Sequence, residues 1–242
     1  MDLGLEGRVG IIAASSKGLG RAAADALAAE GVRLVISGRG EEALARAEEA
    51  LRASGAEVLA IRADVTEPAT PERLVAAALE RFGRLDIVVP NAGGPPQARA
   101  LDLDDAAILA AVQANLLTSV RFVRAALPHL TAAGWGRICC IASATITQAT
   151  ANLALSNTAR TGLWAWAKTA AADLRGTGVT LNLACPGLHA TDRMIELGAG
   201  GSGRPMGDAA DFGKIVAFLC SQPAANLNGA RIVVDGGETT AL

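Results

Sequence analysis

Seven short apolar runs alternate with longer helical stretches along the whole chain. The runs are Val9–Ala13, Leu34–Ser37, Val58–Ile61, Leu85–Val89, Arg137–Ile141, Val179–Ala184 and Ile232–Val234. Between them lie Arg21–Glu30, Glu41–Ser54, Glu72–Phe82, Ala106–Leu130, Leu153–Arg175 and Asp208–Cys220, rich in Ala and Leu with Arg and Glu on one face. Runs that are apolar throughout, rather than at every second position, are those of strands covered on both sides. Parallel strands joined by helices give that cover. The pattern predicts one α/β domain over residues 1–242, a doubly wound parallel sheet of seven strands with helices on both faces. No internal repeat or second core is visible. The glycine-rich stretch 197–207, LGAGGSGRPMG, is too short for a domain linker and reads as a mobile loop or lid.

Composition closes off several function classes. With 51% hydrophobic and 19% charged residues the chain is not of the disordered type. A net charge of −2 offers no basic field for nucleic acid or anionic lipid. The N-terminal segment has no apolar signal core, and no apolar run reaches the roughly 18 residues of a membrane span. The expectation is a soluble cytoplasmic protein. Cys139, Cys140, Cys185 and Cys220 sit in apolar runs without metal-ligand spacing, so they read as buried thiols and no metal site is supported.

Ser15-Ser16-Lys17-Gly18-Leu19-Gly20 follows the first apolar run and opens the first helix. Glycines there let the backbone approach a pyrophosphate, and the helix N-terminus offers free N–H groups and a positive dipole end. After the second run, where NAD sites carry an acidic residue, the chain has Ser37-Gly38 followed by Arg39. A guanidinium binds a 2′-phosphate that a carboxylate would repel, and Lys17 adds a second cation. These residues point to NADP(H).

The ordered motifs then resemble those of the short-chain dehydrogenase/reductase family over nearly the full length. Asp64-Val65 resembles the acidic step that meets adenine, and Asn91-Ala92-Gly93 the motif after the fourth strand. Asn115 resembles the helix asparagine of the active site, and Ser143 the catalytic serine. Cys185-Pro186-Gly187 with Thr191 resembles the turn that lines the nicotinamide, and Val234–Gly237 the closing strand. The resemblance implies a Rossmann-type fold, a nicotinamide cofactor, a small-molecule substrate and a homo-oligomer, a dimer or tetramer joined through the two longest helices. Trp164 or Trp166 is a candidate anchor for that interface.

The departures bear on chemistry. Ala14 stands where the family's loop starts with glycine, and fits if its φ stays negative. Pro90 removes a backbone donor before Asn91. The family carries Tyr-x-x-x-Lys thirteen residues after the serine; here that segment is Ser156-Asn157-Thr158-Ala159-Arg160, and the chain contains no tyrosine. Lys168 is about 12 Å further along the helix and points elsewhere. A general acid is worth roughly 10²–10⁴ in rate. Ser156 is a far weaker acid than tyrosine, and Arg160 holds charge without relaying protons. His189, just after Pro186-Gly187, is a candidate substitute.

Three readings stay open. The first is an NADPH-dependent reductase of a pre-activated electrophile, such as an iminium derived from a hemiaminal or a related activated C=C bond. Ser143, Asn115, Ser156 and Asn157 would then orient and polarise it. The second is a carbonyl reductase of 3-oxoacyl type with His189 or a relayed water as acid. The third is an NADPH-binding sensor without catalysis. A short glycine-rich lid cannot close tightly around a small alcohol, which points to a bulky, natural-product-like substrate of secondary metabolism.

Overall fold

The structure, a computed structural model, describes residues 1–192, 194 and 205–241. Its strands are β1 (Val9–Ile12), β2 (Arg33–Gly38), β3 (Val58–Arg62), β4 (Ile87–Val89), β5 (Gly136–Ile141), β6 (Val179–Pro186) and β7 (Arg231–Val234). All pair in parallel in the order β3-β2-β1-β4-β5-β6-β7. The helices are α1 (Gly18–Ala29), α2 (Glu41–Ala53), α3 (Thr70–Phe82), α4 (Asp105–Val112), α5 (Thr118–Ala132), α6 (Ala154–Asp173) and α7 (Ala209–Leu219).

Alternate strand residues feed two separate cores. Ile11, Val35, Val88 and Cys140 pack with Leu74 of α3, Phe122 of α5 and Leu163 of α6. Ile12, Ile36, Val89 and Cys139 pack with Leu27 of α1, Leu51 of α2 and Phe212 of α7. Continuous apolar runs were needed because each strand supplies both faces. All four cysteines are buried free thiols, as expected. Burial raises the thiol of Cys140 above the ordinary range, and that of Cys185 to about 12.

The strand order reverses between β1 and β4, and in open α/β sheets the ligand crevice lies at such a point, outside the carboxyl ends of the strands. Asp86, fully buried just before β4, clamps these two strands. It accepts from the Val9 N–H at 2.9 Å, Arg8 at 3.0 Å and Arg84 at 2.6 and 2.8 Å.

Two expectations are corrected. The stretch Ala106–Leu130 is not one α-helix: a π-helical turn, Gln113–Leu117, separates α4 from α5. The Thr118 hydroxyl donates to the Gln113 carbonyl five residues back at 3.1 Å, sealing the widened turn. Such turns concentrate at functional sites, and this one contains Asn115. Second, Asp105–Ala132 contains an 18-residue window that is by length and composition apolar enough to cross a membrane. Phe122, Val123, Ala126 and Leu130 of this stretch belong to the core.

Candidate active site

The loop from β1 to α1 is held from below by β2. The Ser37 carbonyl accepts from the Ser15 N–H at 2.8 Å, and the Ser37 hydroxyl from the Ala14 N–H at 3.1 Å. The Ser15 hydroxyl donates to the Ile12 carbonyl at 2.7 Å and is fully buried. Ser15, expected to touch the cofactor, therefore braces the loop from inside. Ser37 is a loop-setting residue that spacing alone did not reveal.

Ala14 does not keep a negative φ. It sits at +47°, in the left-handed region, where a Cβ costs roughly 1–2 kcal/mol. We expect Ala14→Gly to stabilise the protein by up to about 1 kcal/mol, the left-handed strain less the extra chain entropy that glycine loses, visible as a raised urea midpoint at unchanged slope. A lowered midpoint would mean that the methyl group packs usefully.

α1 begins without a side-chain cap and with no acidic residue in its first turn. Among the described residues the N–H groups of Gly18, Leu19 and Gly20 have no acceptor, so this end is open to an anion. Gly20 is packed against the loop. A Cβ there would lie 2.6 Å from the Ala14 oxygen and 2.7 Å from Nδ2 of Asn91, which donates to that same oxygen at 3.2 Å. Ser16 lies against Gly38, at 2.8 Å from where a Cβ would stand. Lys17 is exposed, and the Arg39 side chain is 78% exposed, its nearest charge Asp64 at 3.9 Å. The Thr66 N–H, and less strongly its hydroxyl and Arg39, hold the Asp64 carboxyl below its usual range against the opposing effect of burial. The Val65 side chain is in the core, so only its backbone is available to a ligand. Ala92 and Gly93 border the crevice after β4, the first half-buried and the second exposed. Pro90 has no N–H to donate, and its carbonyl accepts from the Ile141 N–H at 3.0 Å.

Further along the crevice, Ser143 leaves β5 in extended conformation and its oxygen accepts from Thr145, from the N–H at 3.2 Å and the hydroxyl at 3.0 Å. With its oxygen so occupied, Ser143 has its own proton to donate. Arg160 is the hub. Its Nη1 donates to the Ile141 carbonyl at 3.3 Å and to the Ala142 carbonyl, and its Nη2 to Oδ1 of Asn115 at 3.1 Å. It joins the end of β5, the π turn and α6. Its Nε is buried without a partner, and no carboxylate pairs with it among the described residues. Desolvation lowers the guanidinium to about 10, which leaves it charged at neutral pH. Ser156, one turn earlier on α6, is half-buried and its side chain makes no hydrogen bond among the described residues. Asn157 donates to the Thr150 carbonyl at 2.9 Å, leaving Oδ1 buried and unpartnered. The Thr147 hydroxyl is likewise buried and unpartnered.

Comparison with known proteins shows the family of the chain. A profile described as enoyl-(acyl carrier protein) reductase matches residues 13–239. D-beta-hydroxybutyrate dehydrogenase of Cupriavidus necator is 30% identical over 96% of this chain and 98% of its own. The chain belongs to the short-chain dehydrogenase/reductase family. The 3-oxoacyl-(acyl-carrier-protein) reductase FabG of Escherichia coli is 29% identical over 97% of this chain and 98% of its own. In shape, the chain matches L-sorbose reductase of Gluconobacter frateurii, complexed with NADPH and L-sorbose, with a TM-score of 0.93 at 27% identity over all of both chains.

Against this short-chain dehydrogenase/reductase frame, His189 is the clearest correction. Its ring is buried, edge-on to Phe212 with centroids 5.2 Å apart, and Nδ1 lies 3.3 Å from the Gly187 carbonyl. Gly207 pairs with it across a backbone bridge and covers it. It is a packing residue between the turn after β6 and α7, so it does not present an acid to the crevice. Pro186 ends β6 and Gly187 follows it, with Thr191 over the glycine loop, 3.9 Å from where a Gly18 Cβ would stand. Lys168 bonds the Gly229 carbonyl at 3.2 Å, away from Arg160. Trp164 and Trp166 pack against the core, and Arg231 lies 4.2 Å above the Trp164 ring. The lid reading for 197–207 rests on residues of which 197–204 lie outside those described.

Two wall contacts had no sequence signal. Gln148 Oε1 accepts from the N–H groups of Thr240 and Ala241 and from the Thr240 hydroxyl, at 2.9, 3.3 and 3.2 Å, tying the C-terminal segment to the loop after Ser143. Ala98 bridges to Leu153, which joins the segment after Gly93 to the start of α6. The bonded pair includes Asn152 at φ +62°, a left-handed position that asparagine tolerates.

Proposed function

We propose that this protein is an NADPH-dependent oxidoreductase that reduces an electrophile activated before it arrives. The carrying observation is the Arg160 hub. Arg160 ties Asn115 to the Ile141 and Ala142 carbonyls just before Ser143, yet among the described residues nothing beside this joint can release a proton as a phenol would. Ser156 offers a weak acid, Arg160 keeps its proton, and His189 is turned into the packing.

NADPH, when bound, supplies a hydride. The open N-terminus of α1 with Lys17 suits the pyrophosphate, and Ser16 with Arg39 suits the 2′-phosphate. Asp64 and the Val65 backbone suit the adenosine, with Asn91, Ala92 and Gly93 beneath it. Pro186, Gly187 and Thr191 flank the place for the nicotinamide. Arg160 holds Asn115 and the end of β5 in position, Ser143 donates to a polar atom of the substrate, and Ser156 and Asn157 shape its seat.

An iminium, formed when a hemiaminal loses hydroxide, meets this requirement because hydride addition cancels its charge and leaves no alkoxide. A conjugated C=C bond is the related case, and Arg160 favours it: hydride adds to the β-carbon, the electron pair moves onto the conjugated oxygen as an enolate, and water then protonates the α-carbon. A buried cation repels an incoming iminium and attracts the negative charge that develops as hydride adds to the conjugated bond. The stretch between Thr191 and Arg204, short in sequence and glycine-rich, supports a bulky, natural-product-like substrate for either.

The test is NADPH consumption by the purified chain against cyclic imines, hemiaminals, conjugated enones, simple ketones and 3-oxoacyl thioesters. We expect turnover of imines or enones, with ketones slower by roughly 10²–10⁴. Ketone turnover at parity would overturn the reading, and tight NADPH binding without any turnover would leave a sensor. In the same titrations Arg39→Ala should weaken NADPH roughly tenfold, the loss of about one charge-assisted hydrogen bond at an exposed site, and leave NADH unchanged. Equal losses for both cofactors would place Arg39 away from the 2′-phosphate.

A further inference from the structure

A second cavity, of about 530 Å³, lies at the opposite end of the sheet, where β5 and β6 begin. It belongs to a size range that holds small-molecule ligands. From Arg137 in its wall to Ser143 is six residues of chain, roughly 20 Å when extended, so it is not part of the crevice.

Its chemistry is one-sided. Arg137, Lys168 and Arg175 line it, and none of its lining residues is Asp or Glu. Arg137 is 2% exposed and has no carboxylate partner among the described residues. Its Nε donates to the Ser221 carbonyl at 3.0 Å, and its Nη1 to the carbonyls of Gly136 and Gly178 at 2.9 and 3.1 Å, while Nη2 has no acceptor among the described residues. The guanidinium is further fixed over the Trp135 ring at 4.3 Å. A buried cation whose charge is not balanced nearby is costly unless something supplies that charge.

The second observation is independent. Thr180 is paired in register with Arg137 across β5 and β6, so the two side chains stand together on one face. Thr180 is 5% exposed, lines the same cavity, and its hydroxyl is buried without a hydrogen-bond partner. Carbonyls at the end of α6 that would repel an anion are already capped. Leu174 O accepts from the Thr177 N–H and hydroxyl at 3.1 and 2.7 Å, and Ala171 O from Asn228 at 2.9 Å.

We propose that this cavity binds an anionic small molecule through a phosphate or carboxylate group, with Arg137 and Thr180 at its floor and Lys168 and Arg175 at its rim. The site is separate from the cofactor crevice. It is connected to it by elements that serve both ends: β5 runs from Arg137 towards Ser143, β6 from Thr180 to Pro186, and α6 from Arg160 to Lys168.

Calorimetric titration of the full chain at low salt, with inorganic pyrophosphate in one arm and citrate in the other, tests this. The crevice is silenced with Lys17→Ala/Arg39→Ala. We expect one anion site to survive in that variant and to weaken at least roughly tenfold in Lys168→Ala/Arg175→Ala, where two rim charges are gone. The arm that binds more tightly assigns the group as phosphate or carboxylate. Thr180→Val separates a ligand group from a packing defect. It should weaken anion binding several-fold while leaving the free protein as stable or more so, since it removes an unsatisfied hydroxyl at similar shape. Binding lost entirely in Lys17→Ala/Arg39→Ala, or unchanged in both cavity variants, would overturn the proposal.

Discussion

Arg160→Met should lower kcat on the best substrate of the panel by about 10²-fold, of the size seen when one preorganised donor is removed from a catalytic site. Its guanidinium is the joint between Asn115 on the π turn and the Ile141 and Ala142 carbonyls that precede Ser143. Without it, these acceptors are released and Ser143 loses its fixed relation to the crevice. Arg160 is a positioning residue in this account. The loss should fall mainly on kcat, with KM and the NADPH dissociation constant moving far less. Arg160→Lys, which restores a charge but not the fork, should recover only part of the rate. Stability should change little, because the acceptors left unpaired cost about 1–3 kcal/mol each while a buried cation without a counter-ion is removed. A variant that loses activity only because it unfolds would show a collapsed urea midpoint. A variant with full kcat would dissolve the hub.

Gly20→Ala is the second large effect, this time on cofactor affinity. The added Cβ would lie 2.6 Å from the Ala14 oxygen and 2.7 Å from the Asn91 amide nitrogen, contacts that side chains do not make. Either α1 moves away from the loop or the Asn91–Ala14 hydrogen bond breaks. Overpacking of this kind costs about 1–3 kcal/mol. Because the same movement displaces the open N–H groups of α1, NADPH affinity should fall at least roughly tenfold, as read by cofactor fluorescence titration. Unchanged affinity with lowered stability would show that the N-terminus of α1 does not carry the pyrophosphate.

Much of the fold was legible because burial on both faces leaves its mark on single residues. Each strand run is apolar at odd and even positions alike, and the structure divides those positions between two cores. Residue type alone marked Gly18 and Gly20, which stand at the start of α1, and Arg160, which is buried in a hydrogen-bond joint with Asn115. The site was not legible where a side chain could turn either way. Ser15 and His189 were placed correctly along the chain, but both turn inward, towards Ile12 and Phe212. The break between α4 and α5 was hidden for a related reason. A π turn adds one residue to a helix without changing its composition, and its signature is the fold's use of Asn115 and Thr118.

The sequence by itself determined the α/β alternation, the glycine loop, the cations beside it and the absence of a tyrosine. These are properties of residue type and order, and local chemistry enforces them. Tertiary structure alone decided that Ala14 is left-handed, that His189 is packing, that Arg160 joins three elements, and that Arg137 and Thr180 share a cavity at the far end of the sheet. Each depends on contacts between segments far apart in the chain, whose side-chain directions are fixed only when the sheet closes around its two cores.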